Sequence, residues 1–72
     1  MKLLIFQTNI DNKQNVDALQ PIFNNHHHIL NWHVDTEDID NVLRIEAHEN
    51  LHENDIIDLM TIHGYYCGDL MS

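Results

Sequence analysis

The 72-residue chain predicts an α+β fold, one antiparallel sheet covered on one face by two helices. Three observations carry that prediction. The run Leu3-Leu4-Ile5-Phe6 is apolar without alternation, as in a central strand with neighbours on both sides and cover on both faces. Leu30, Trp32 and Val34, and again Leu43, Ile45 and Ala47, alternate with polar residues in the two-residue period of a sheet with one buried face. Two further segments carry apolar residues at helical spacing.

The first strand is expected over Lys2 to Thr8. A polar turn follows, in which Asn9, Asp11 and Asn12 offer side-chain oxygens to the unpaired amides of a first helical turn. Val16, Leu19 and Phe23 fall at i, i+3 and i+7 with Ile22 beside them, so a helix starting near Val16 carries one apolar stripe. Pro21 interrupts it. An interior proline deletes a backbone bond at about 3 kcal/mol, which predicts a kink or an early end there.

Asn24 to His28 is polar and without period, a loop. The second and third strands come next, joined by an acidic turn over Thr36 to Asn41 that makes them antiparallel. A second helix is expected after His52, with Glu53 and Asp55 offsetting its dipole and Ile56, Leu59, Met60 and His63 on one face. Gly64 suits its C-terminal cap, and Tyr65-Tyr66-Cys67 opens a short last strand with the two tyrosines on opposite faces. The order is βαββαβ. Two crossovers on a four-stranded antiparallel sheet give a single ferredoxin-like domain over residues 1–72, with the first and third strands central.

Net charge is −9, with Lys2, Lys13 and Arg44 the only fixed cations. No basic surface is present to neutralise phosphates, so nucleic acid is excluded as a partner. No apolar run approaches the length of a membrane span, and Met1 to Phe6 is too short for a signal-peptide core. Cys67 is the single cysteine, so no intrachain disulfide staples the fold and a cytoplasmic, reducing setting is expected.

With strand, loop and helix in this order, Val34-Asp35 closing the second strand, Asp55-Ile56-Ile57 in the second helix and Gly64-Tyr65 after it, the chain resembles the heavy-metal-associated domain family. The resemblance covers nearly all of the chain and implies the ferredoxin-like fold. It also implies a metal loop before the first helix, where the family carries a methionine and a CxxC pair whose two thiolates hold Cu(I). Aligned on the apolar stripe of the first helix, Ile10 stands at the methionine position and Asn12 and Asn15 at the two cysteine positions. Both thiolates are missing, and asparagine is a neutral oxygen ligand unsuited to Cu(I). The resemblance therefore implies a degenerate loop that needs no metal cofactor, and leaves the surface as the working part.

Seven histidines are the compositional oddity. Neutral imidazole ligates Zn(II), Ni(II) and Cu(II), so His26, His28, His33 and His48 are candidate metal ligands, His26 and His28 as an extended pair and His33 and His48 on adjacent strands. His48-Glu49-Asn50-Leu51-His52 matches H-E-x-x-H. That motif needs one helix to project both histidines, whereas here it straddles the exit of a strand and the start of a helix, so no peptidase is expected. Cys67 reads as a small packing residue, Trp32 as a core residue and His63 as a complement to a helix dipole. On the face of the sheet without helices, either Leu3 and Ile5 or Leu4 and Phe6 must point outward, which predicts an apolar interaction surface unless the C-terminal tail covers it. The sequence thus predicts a non-enzymatic module that binds a protein partner or a second copy of itself through that face, with histidine-based metal binding as the alternative.

Overall fold

In the structure, a computed structural model that describes residues 1–70, the elements are β1 (Lys2–Thr8), α1 (Lys13–Asn24), β2 (Ile29–Asp35), β3 (Val42–Ala47), α2 (Glu53–Ile62) and β4 (Cys67–Asp69). They form one antiparallel sheet in the order β2-β3-β1-β4 with both helices on one face, the ferredoxin-like α+β arrangement. The last two residues, at the end of the tail considered above as a cover for the open face, lie outside the described residues.

The sheet is central at β1 because its even-numbered positions supply the core. Leu4 and Phe6 are buried beside Ile45 and Leu43 of β3, while Leu3, 48% exposed, and half-buried Ile5 point to the uncovered face. The ambiguity in β1 is resolved in favour of Leu4 and Phe6 as the core pair. Leu19 and Phe23 of α1, Ile56 and Met60 of α2, and Val34 of β2 close the same cluster.

Helix α1 begins earlier than its apolar stripe suggests. Asn12 is the N-cap, its Oδ1 accepting from the Asn15 backbone N–H at 2.8 Å, so Lys13 to Asn15 form the first turn. The helix also does not stop at Pro21 but runs to Asn24. Its last turn is held from outside the helix. Phe23 is fully buried, the Trp32 Nε1–H donates to Asn24 Oδ1 at 3.0 Å, and the Asn25 side-chain amide donates to the Pro21 carbonyl at 2.7 Å. These contacts offset the missing proline bond. Trp32 itself is only partly buried, with its ring edge-on to Phe23 at 5.1 Å.

In β2 the alternation breaks at its first residues. Ile29 pairs with Ala47 and Asn31 with Glu46, so Leu30 is the extra residue of a bulge. Ile29 packs on the core in its place and Leu30 is 57% exposed, the reverse of the alternation.

Helix α2 has a complete set of end signals. Asp55 accepts from the His52 N–H at 2.9 Å, and Leu51 and Ile56, at the staple positions around the N-cap, both belong to the core. At the other end Gly64 takes φ 85°, the Gly64 N–H donates to the Thr61 carbonyl and the Tyr65 N–H to the Met60 carbonyl, a Schellman closure. Strand β4 then starts at Cys67 rather than at Tyr65. Tyr65 packs on the core and Tyr66 is exposed. No helix among the described residues is long and apolar enough to cross a membrane.

Candidate functional site

The loop between β1 and α1 is built by polar side chains that lock it to two other segments. Thr8 is buried, its hydroxyl donating to the Asn41 carbonyl at 2.7 Å and accepting from the Ile10 N–H at 3.1 Å. Asn41 adopts φ 48°, a left-handed conformation that asparagine tolerates, and so aims that carbonyl from the β2–β3 turn. Asn9 Oδ1 accepts from the Tyr66 N–H at 3.1 Å, which ties the loop to the entry of β4. Thr8, Asn9, Asn41 and Tyr66 position this loop. The turn chemistry of Asn9 was visible in the sequence, but its long-range partners were not.

Within the loop, Ile10 is fully buried in the core, Asn12 is exposed and engaged as the helix cap, and Asn15 is half-buried in the first turn. The donor set is a side-chain amide at the cap and another three residues on, with an aliphatic residue beneath. Amide oxygens are hard, neutral donors, whereas Cu(I) takes soft thiolates or thioethers. The residues present at the Ile10, Asn12 and Asn15 positions do not fit Cu(I).

Of the four candidate histidine ligands, the structure gathers three. The His48 N–H donates to the His28 carbonyl at 2.8 Å, joining the loop after α1 to the end of β3. The rings of His28 and His48 stack with centroids 5.6 Å apart, and His26 lies 5.8 Å from His28. A groove of about 520 Å³ beside His26 and His28 is also lined by Asp55 and Asp58. His33 stands apart, paired with Arg44 on the uncovered sheet face. His26 Nδ1 accepts from the His28 N–H at 3.2 Å, which leaves the proton of its neutral ring on Nε2. The ring therefore works as a loop brace in this geometry. Among the described residues no three histidine, cysteine, aspartate or glutamate side chains are set to hold a metal ion.

The H-E-x-x-H residues diverge as the loop reading required. His48 stacks on His28, Glu49 accepts from the Met1 amino group at 2.9 Å, and Lys2 Nζ lies 3.4 Å from His52 Nδ1. That amino group holds the Glu49 carboxyl below its usual range.

Cys67 is buried, and burial pushes its thiol up to about 12, with the Asp69 charge adding to the effect. At pH 8 the thiolate is then roughly one part in ten thousand, and the thiolate is the reacting form. Iodoacetamide at pH 8 should leave the folded chain unmodified over hours and alkylate Cys67 promptly in guanidinium. Rapid alkylation of the folded chain would show a reactive cysteine instead of a packing residue.

On the uncovered face, β1 contributes Leu3, Ile5 and Gln7, β3 contributes Arg44 and Glu46, and β2 contributes Asn31 and His33. The Leu70 N–H donates to the Ile5 carbonyl at 3.0 Å, which sets Leu70 beside Ile5. Gln7 donates to the Tyr66 hydroxyl at 3.2 Å, and a Cβ at Gly68 would stand 2.8 Å from that oxygen, so only glycine lets the ring lie there.

This arrangement is similar to that of a solved structure described in work on crosstalk between Cu(I) and Zn(II) homeostasis. The two superpose with a TM-score of 0.81 over 97% of this chain and 100% of the other. The fold is shared. At 11% sequence identity the likeness carries the ferredoxin-like fold alone. No family model matches the sequence, and no curated protein matches it.

Proposed function

We propose that the chain is a non-enzymatic module, similar in fold to heavy-metal-associated domains, that has no thiolate metal site and acts by docking protein on its open sheet face. The observation that carries this reading is the pair Leu3 and Ile5, apolar and side by side at the middle of a face that no helix covers. The β1–α1 loop supports it, since a buried isoleucine and a cap asparagine replace donors that would hold a soft ion. Such a module needs no cofactor, and its single buried cysteine suits a reducing cytoplasm. Competition with a Cu(I) chelator tests the loop: the wild-type chain should take no Cu(I), and stoichiometric uptake would overturn the reading.

Binding or trafficking of Zn(II), Ni(II) or Cu(II) through histidine is the second reading. The gathering of His26, His28 and His48 favours it, as does the metal-homeostasis setting of the similar structure. It requires His26 to give up its bond from the His28 amide.

A further inference from the structure

We infer that the occupant of the open face is a second copy of this chain, docked about a two-fold axis that pairs Arg44 with Glu46 across the interface. The inference rests on the docking reading above and names its partner. The register fixes two adjacent rows on the face. One runs Asn31, Glu46, Leu3, and the next runs His33, Arg44, Ile5, with Leu70 continuing it.

A closed dimer uses one patch twice, so the patch must complement itself under a two-fold rotation. An axis lying in the interface, across the strands and between these two rows, exchanges one row for the other. It sets Arg44 of each copy against Glu46 of the other, and Leu3 of each against Ile5 of the other. One operation therefore satisfies both the charges and the apolar residues. Arg44 precedes Glu46 in β3 and Leu3 precedes Ile5 in β1, and the antiparallel register that sets Leu3 beside Glu46 and Ile5 beside Arg44 lets the same rotation match both pairs.

Two further facts favour this occupant. Among the described residues neither Arg44 nor Glu46 forms an ion pair within the chain. Both side chains are thus open to pairing from outside. In a chain of net charge −9, these two rows carry one fixed charge of each sign and are neutral together, Asp35 lying beyond them on the same face of β2, so two copies meet along the rows with less repulsion than the chain's overall charge would impose.

Charge exchange is the test, read by sedimentation over a concentration series to the millimolar range, with circular dichroism as the check on folding. Wild type should show a concentration-dependent dimer. Arg44→Glu and Glu46→Arg should each weaken it by roughly tenfold or more, because each variant sets like charges face to face. The double variant Arg44→Glu, Glu46→Arg should restore association to near the wild-type value. Glu46→Arg is informative because it lowers the net negative charge: a dimer limited only by overall repulsion would tighten, and that result would overturn the pairing. A double variant no better than the singles would overturn it too. A wild-type chain that stays monomeric throughout would overturn the second copy as occupant, while the metal-free reading of the loop stands or falls on the chelator experiment.

Discussion

Phe6→Ala is expected to leave the domain largely unfolded at physiological temperature. Phe6 is fully buried on β1, between the β3 residues it pairs beside and the two helices. Removing a buried phenylalanine ring costs about 3–5 kcal/mol, through lost transfer free energy and the cavity left behind. A chain of this length has roughly 4–11 kcal/mol of total stability, so the loss takes a large part of it. At about 4–8 °C for each kcal/mol in a domain of this size, the unfolding midpoint should fall by more than about 12 °C. Leu3→Ala, three residues away and on the opposite face, should change stability by no more than about 0.5 kcal/mol. Thermal unfolding followed by circular dichroism separates the two. Equal losses from both substitutions would mean that the faces of β1 are assigned wrongly.

The second large effect is a gain of function in the β1–α1 loop. Asn12→Cys with Asn15→Cys should create a site for one Cu(I) where wild type has none. Asn12 Oδ1 sits 2.8 Å from the Asn15 backbone nitrogen, so the two positions adjoin across the first helical turn. The N-terminal end of α1 favours the thiolate form at both. The tethers from Thr8 to Asn41 and from Asn9 to Tyr66 do not involve the substituted side chains, so the loop should keep its shape. Losing the asparagine cap costs about 1 kcal/mol, a tolerable loss. Lys13 stands between the two positions, exposed, and its charge stabilises thiolates there. Chelator competition should show one Cu(I) per folded double variant. A folded double variant no stronger than wild type would mean that Asn12 and Asn15 are not the positions the resemblance assigns.

Much of the fold was legible because β3 and the end signals of α2 are local. Leu43, Ile45 and Ala47 alternate and are all buried, and Gly64 ends α2 with the positive φ that its position requires. The misreadings share one cause, that tertiary contacts override local signals. Pro21 ends an isolated helix, but Trp32 and Asn25 hold the turn beyond it from outside the periodic pattern. The bulge at Leu30 shifts one register step, and a two-residue period cannot show where such a step falls. Which side of Leu3-Leu4-Ile5-Phe6 is buried depends on where the helices pack, and four apolar residues in a row contain no answer. The gathering of His26, His28 and His48 was legible only in part, because His48 comes from a loop twenty residues further along the chain. The alternation of Arg44 with the core residues of β3 did show that it faces away from the helices.

Native mass spectrometry of the wild-type chain with Cu(I), Zn(II) and Ni(II), each added singly, tests the central claim most directly, because it reports assembly and metal stoichiometry in one spectrum. The account predicts metal-free monomer and dimer ions, with the dimer fraction rising with protein concentration and unchanged by any of the three ions. Stoichiometric metal retained on the folded monomer, with no dimer at any concentration, would contradict it.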